Sequence, residues 1–202
     1  TSSSTSNPNV FYLNLKQPYD FNYDLISKDD TIILLGGISS PDVCEKNPVL
    51  AHLINYEGTS YFIERVLQKQ AKVIFSSSDL VYGSANSLVK ESDTTKPFGV
   101  YGKFKDLVEK RFCHEPYFKS IRFSYVLSTD DKYLHYLKKC CDSQETAHVF
   151  ESLKRNIVYI DDILELIELL IDNWDICESS LINACGIECL SRAEIAYLYK
   201  KN

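Results

Sequence analysis

The sequence predicts an α/β protein whose core is a parallel sheet flanked by helices, and three observations carry that expectation. "TIILLGG" at 31–37 and "KVIF" at 72–75 are short, continuous apolar runs, β-branched enough to fill strands buried on both faces. Between them, "PVLAHLINYEGTSYFIERVLQKQ" carries apolar residues at helical spacing behind Pro48, which suits a first helical turn. Strand, helix and strand in alternation is the pattern of a parallel sheet with crossover helices.

The elements follow in order. The opening "TSSSTSNPN" is small and polar and reads as a loop. "VFYLNL" is a first strand-like run, and "GGISSPDVCEKN" connects the second run to the long helix. After "KVIF" a polar loop from Asp79 to about Pro97 leads into the helix "VYGKFKDLVEKRF", and "YFKSIRFSYV" reads as the next strand. From Asp130 the character changes: "KYLHYLKKCC" is helical, "NIVYI" strand-like, "DDILELIELLIDN" helical and "SSLINAC" strand-like. "SRAE" at 191–194 fits a capping box that opens a last helix. The expected division is an incomplete sheet domain over 1–129 and a partial lobe over 130–202 that interleaves with the last sheet elements.

Composition narrows the function classes. With 28 acidic and 22 basic residues the formal net charge is -6, and the basic residues form no stripe, so duplex nucleic acid is not an expected partner. The apolar run "ILELIELLI" is short and carries two glutamates, so no membrane span is expected. Seven cysteines are an odd number without paired metal-ligand spacing, which reads as reduced thiols of a cytoplasmic protein. Cys185 and Cys189 could make half a metal site, but no second half is visible, and no metal is expected. The four histidines show no ligand spacing either.

The chemistry-bearing pattern is Tyr101 with Lys105, one helical turn apart and on one face. A nearby ammonium favours phenolate and would lower a tyrosine pKa toward a useful range, while a serine hydroxyl can hydrogen-bond the substrate oxygen. The spacing alone is weak: with 14 tyrosines, Tyr12/Lys16 and Tyr197/Lys201 repeat it. Only Tyr101 opens a helix behind a long loop and a strand that ends in serines, "FSSSDLVYG".

In order, "TIILLGGISSPDVCEKNP", "INYEGT", "KVIFSSSDLVYG", "ESDTTKPFGVYGKFKDLVEKRF", "IRFSYV" and "VYIDDI" resemble the extended short-chain dehydrogenase/reductases, the NAD-dependent epimerase/dehydratase superfamily. With Asp79 after the serine, they resemble most the dTDP-4-dehydrorhamnose reductase-like branch. The resemblance implies a Rossmann-like sheet, NAD or NADP as cofactor, a nucleotide-sugar substrate, and allows a homodimer. It assigns Ser78, Tyr101 and Lys105 to catalysis, with Tyr101 and Lys105 also against the cofactor. It places Asn14, Leu15, Gly36, Gly37, Phe123 and Ser124 at the cofactor, although the family usually has Asp at the position of Asn14. Ser78, Asp79 and Arg155 fall to the substrate, Arg155 as a grip on its diphosphate. Asn55 in "INYEGT" reads as a structural hydrogen-bonder.

One part of the family pattern has no counterpart. No GxGxxG or GxxGxxG turn, which would set a pyrophosphate on a helix N-terminus, occurs in the 202 residues. The chain also contains no methionine, and the expectation is a fragment of a longer enzyme, inactive alone. Two readings stay open: an NAD(P)-dependent reductase, epimerase or dehydratase, or a non-catalytic binding or regulatory protein on the same scaffold.

Overall fold

The computed structural model describes residues 10–84, 88–151 and 154–201. The opening "TSSSTSNPN" and residues 85–87 of the loop expected after Asp79 lie outside them. The described chain falls into two compact units, one drawn from Thr1–Arg122 with Cys177–Asn183, the other from Phe123–Ile176 with Ala184–Asn202.

The first unit is built on a four-stranded parallel sheet, β1 (Thr31–Leu34), β2 (Lys72–Ser78), β3 (Phe118–Phe123) and β6 (Leu181–Ala184), in the order β1-β2-β3-β6. β1 and β2 run in register from Thr31 against Lys72 to Leu34 against Phe75. Val73, Ile74 and Phe75 are all buried because helices cover both faces, which is why the run is continuously apolar. Leu34, Phe62, Ile63, Val66, Val73, Phe75, Val108, Phe112 and Phe118 form the core between sheet and helices.

Four helices flank this sheet. α1 (Pro41–Lys46) starts with Pro41 behind Ser40, whose side chain accepts from the Val43 N–H at 3.4 Å. The long predicted helix is present as α2 (Pro48–His52), a π-helical stretch over Leu53–Gly58 and α3 (Thr59–Gln68). α4 (Gly99–Phe112) crosses from β2 to β3.

Two expectations need correction here. "VFYLNL" is not a strand: no described strand pairs with it, and Asn14 bends the chain by accepting from the Lys16 N–H at 3.0 Å. "GGISSPDVCEKN", read only as a connection, holds α1 in its second half.

The second unit holds a small mixed sheet of β4 (Tyr125–Leu127), β5 (Lys154–Tyr159) and β7 (Cys189–Ser191), parallel between β4 and β5 and antiparallel between β5 and β7. The single strand expected over "YFKSIRFSYV" is thus β3 and β4, parted at Ser124, and they belong to different sheets. Ser124 donates its N–H to the Ala184 carbonyl at 3.1 Å, at the end of β6, and its hydroxyl to the Asn156 carbonyl of β5 at 2.7 Å.

α5 (Lys132–Ser143), α6 (Ile160–Asp172) and α7 (Arg192–Lys201) complete this unit. Asp131 caps α5 through the N–H groups of Tyr133 and Leu134. The predicted capping box is formed reciprocally: Ser191 Oγ accepts from the Glu194 N–H at 3.1 Å, and Glu194 Oε2 accepts from the Ser191 N–H at 2.7 Å. None of the seven cysteines is in a disulfide; Cys44 and Cys140 are buried, while Cys141, Cys185 and Cys189 are exposed.

Candidate active site

The site grows from the end of β2. Its last residue, Ser78, is in extended backbone, and its hydroxyl accepts from the Leu80 N–H at 3.2 Å and donates to Asp79 Oδ1 at 3.3 Å. Ser78 therefore caps a short 3-10 turn, Asp79–Tyr82. α4 lies directly on that turn. The Phe98 N–H donates to the Leu80 carbonyl at 2.9 Å, and a Cβ on Gly102 would come within 2.7 Å of the same oxygen. Glycine at 102 lets the helix approach closely, which brings the turn carrying Tyr101 beside Asp79.

Tyr101 and Lys105 share one face of α4, with the Lys105 ammonium 5.5 Å from the Tyr101 ring centroid. Lys105 is buried and donates to the Ser76 carbonyl at 2.5 Å while lying 4.5 Å from the Phe75 ring centroid. The strand that ends in Ser78 thus also seats the lysine. Ser76 does more than finish the strand, and Ser77 Oγ is buried with no hydrogen-bond partner among the described residues.

The electrostatics differ from the expected tuning. Burial, then Cys44 and the Asp79 carboxylate, push Tyr101 from 10.0 up to about 12, so the phenol keeps its proton at neutral pH. Lys105 is pushed down from 10.5 to about 8 by burial, against the opposing pull of Glu109 and Cys44. Burial sets the direction for both groups, raising the phenol and lowering the ammonium, because the charged form of each is the one that loses solvation.

Lys105 also predicts a stability profile. Between about pH 8 and 10.5 the unfolded chain still holds the proton that the folded chain has lost, so stability rises with pH in that window; below about 8 both states are protonated and the burial penalty stands in full. Relative to Lys105→Met, the wild-type chain should gain about 2–3 kcal/mol from pH 7 to pH 10 in urea unfolding. A difference that does not change with pH would show that the ammonium is not desolvated.

The other expected site residues fall in two groups. In the first unit, Leu15 is buried and a Cβ on Gly36 would lie 3.2 Å from Leu15 Cδ1, so those two meet. Gly37 has φ +130°, and a Cβ there would come within 2.9 Å of Asn55 Oδ1. Asn55 clamps this strand end: Oδ1 accepts from the Ile38 N–H at 2.7 Å and Nδ2 donates to the Ile38 carbonyl at 3.0 Å, in keeping with the structural role expected for it. Asn14 lies in its own turn next to Leu15. In the second unit, Phe123 ends β3, Ser124 is fixed on Asn156, and Arg155 stands in β5 opposite Leu190.

The sequence reading missed two participants. Cys44 is fully buried in a cluster with Ala51 and Phe104, against which Val100 and Tyr101 pack. Its thiol is pushed up by burial. A lone cysteine in a connecting stretch carried no signal, whereas the Ser-Pro-Asp at 40–42 could have announced α1. Behind the site, Arg122 and Glu109 form a buried ion pair at 2.6 Å, with Arg122 also donating to the Tyr82 hydroxyl at 2.5 Å.

Only part of a dinucleotide site is recognisable in these residues. The Tyr101 hydroxyl takes no hydrogen bond from any described residue, and Lys105 spends one of its three N–H donors, which suits the hydroxyls of a nicotinamide riboside. The space beside Gly36 and Gly37 is taken by Leu15 and Asn55, so those glycines answer to the protein's own packing. No Gly-rich turn in the 202 residues offers a pyrophosphate seat.

The sheet order, the serine-capped turn and the tyrosine–lysine helix define an extended short-chain dehydrogenase/reductase fold of the NAD-dependent epimerase type. Residues 20–196 match the family described as the RmlD substrate binding domain, and the chain belongs to that family. Among solved structures it is similar to a hypothetical dTDP-4-dehydrorhamnose reductase from Sulfolobus tokodaii, at 21% identity and TM-score 0.79, over 100% of this chain and 71% of that one. It is similar also to MoeE5 in complex with UDP-glucose and NAD, at 18% identity and TM-score 0.78, over 91% of this chain and 66% of that one. A UDP-glucose 4-epimerase of Halalkalibacterium halodurans is 33% identical over 92 residues, which are 44% of this chain and 28% of the epimerase. The chain thus spans less than a third of that curated relative. Among the described residues no helix is long and apolar enough to cross a membrane.

Proposed function

We propose that the protein acts on a nucleotide-linked sugar with NAD or NADP, using Ser78, Tyr101 and Lys105. Reduction of a sugar ketone is the favoured reaction. The observation that carries this reading is the pairing on α4: a phenol that keeps its proton up to about 12, one turn before a buried ammonium fixed to the strand that ends in Ser78. A protonated phenol is suited to give a proton to an oxygen that gains charge, which is the need of a carbonyl under reduction.

When bound, the reduced nicotinamide supplies the hydride. The chain's own part is to hold the carbonyl oxygen with the Ser78 hydroxyl, to hand it the Tyr101 proton, and to place Lys105 against the nicotinamide ribose. Asp79 borders the sugar, and Arg155 takes the diphosphate through its planar fork of donors. Of the residues expected at the cofactor, Asn14, Leu15, Phe123 and Ser124 stay with it in this reading, whereas Gly36 and Gly37 serve the packing of the strand end. The relatives support the substrate class, since one is described as a hypothetical dTDP-4-dehydrorhamnose reductase and another holds UDP-glucose and NAD.

A non-catalytic binding protein on the same scaffold is the second reading. Calorimetric titration of the full-length protein with NADH and NADPH separates the two. The enzyme reading expects one of them to bind, and absorbance loss of the reduced nicotinamide when a nucleotide-linked 4-ketosugar is added. Binding of neither cofactor would remove it.

A further inference from the structure

We infer that Glu45 is a positioning residue: its carboxylate caps the first turn of α4 from a different helix and so fixes the orientation of Tyr101. The inference rests on the reading of Tyr101 given above. α4 begins without a cap of its own, because the residue at its N-cap position is Phe98, which has no side-chain oxygen, and its first turn contains no acidic residue. The orphan N–H groups of that turn need an acceptor.

Glu45 supplies it from 55 residues away: Oε1 accepts from the Val100 N–H at 2.6 Å. The backbone is shaped to admit this carboxylate. Gly99 has φ +68°, and a Cβ there would stand 2.8 Å from Glu45 Oε1, so a side chain at 99 would be strained and would displace the cap. A negative charge at a helix N-terminus is favourable in itself.

The cap is anchored from beneath. Cys44, the residue before Glu45, is fully buried, with its thiol 3.6 Å from both the Ile38 carbonyl and Asn55 Nδ2. Val100 and Tyr101 pack on the cluster that contains Cys44. Glu45 above and Cys44 below therefore hold the segment that carries the phenol, and the residue fixed by the cap is Tyr101's immediate neighbour.

Glu45→Ala in the full-length protein tests the inference, with Glu45→Gln, which keeps the acceptor oxygen, as rescue. The Val100 amide should exchange with solvent about tenfold faster in Glu45→Ala and near the wild-type rate in Glu45→Gln. The Tyr101 ring titration, followed by NMR on its Cζ, should move from about 12 toward 10.0 as the ring loosens into solvent. In a form that turns over, kcat should fall about ten- to a hundredfold at little change in KM. Wild-type amide exchange and an unmoved Tyr101 titration in Glu45→Ala would overturn the inference, and so would faster exchange with the Tyr101 titration unmoved. Absence of turnover in the wild-type protein would instead count against the enzyme reading, and the two NMR readouts would still decide the role of Glu45.

Discussion

Replacing Tyr101 with phenylalanine should lower kcat by about 10²–10⁴-fold in a form of the protein that turns over a nucleotide-linked sugar. KM and the unfolding midpoint should stay near wild type, because the hydroxyl makes no hydrogen bond to any described residue and the ring packing survives the change. The pH profile separates the acid role from the base role. A phenol that titrates at about 12 is protonated throughout the neutral range, so turnover should show no rise through pH 6–7, as a tyrosinate base would give, and should fall as pH climbs through about 8, where Lys105 discharges. Unchanged turnover in Tyr101→Phe would remove this residue from the mechanism.

Arg122→Ala should destabilise the fold by about 3–5 kcal/mol, since it leaves the Glu109 carboxylate buried without its counter-charge. Both side chains are almost wholly inaccessible in the intact fold, at 3% and 2% exposure. Arg122 gives its Nε to both Glu109 oxygens, at 3.1 and 3.0 Å, and its Nη2 to Oε2 at 2.6 Å. Ser120 adds a hydroxyl to the same carboxylate at 3.2 Å. The Tyr82 hydroxyl passes the network on to Asn183 Oδ1 at 2.8 Å, so the substitution touches α4, β3, β6 and the turn after Ser78 together. The double variant Arg122→Met, Glu109→Leu should recover most of the loss, because an apolar pair removes the stranded charge. Urea unfolding of the three variants measures it; a single-variant cost below about 1 kcal/mol would mean that water reaches Glu109.

Much of this architecture could be read from the sequence, for reasons visible in particular residues. "KVIF" announced β2 because a strand covered on both faces has no polar side to hide its pattern, and "SRAE" announced its capping box because that motif is local. "VFYLNL" misled because an apolar run is a strand only if another strand pairs with it, and pairing is not local information. "YFKSIRFSYV" misled for a related reason: what parts it at Ser124 is the Asn156 carbonyl, 32 positions away.

The site shows the same limit. The Tyr101 and Lys105 spacing was legible, and their shared face follows from helix geometry alone. The direction of the Tyr101 shift was not, because it depends on how deeply α4 sinks against the serine-capped turn, and Gly102 shows that approach only once Leu80 is seen beneath it.

The π-helical stretch over Leu53–Gly58 has a consequence for insertions and deletions. Ala51, Asn55, Thr59 and Ile63 stand four positions apart, and all four are buried. Twelve residues of regular α-helix make about three and a third turns, which would swing the last of them roughly a third of a turn out of line with the first. The wider winding slows the rotation, so that one inward face runs from the Cys44 cluster through the Asn55 clamp to the sheet core. Loss of a single residue between 53 and 58 would therefore leave the helix nearly its full length and change its phase. Either Asn55 keeps its hold on Ile38 and Ile63 turns out of the core, or the core stays filled and the strand end at Gly37 loses its clamp.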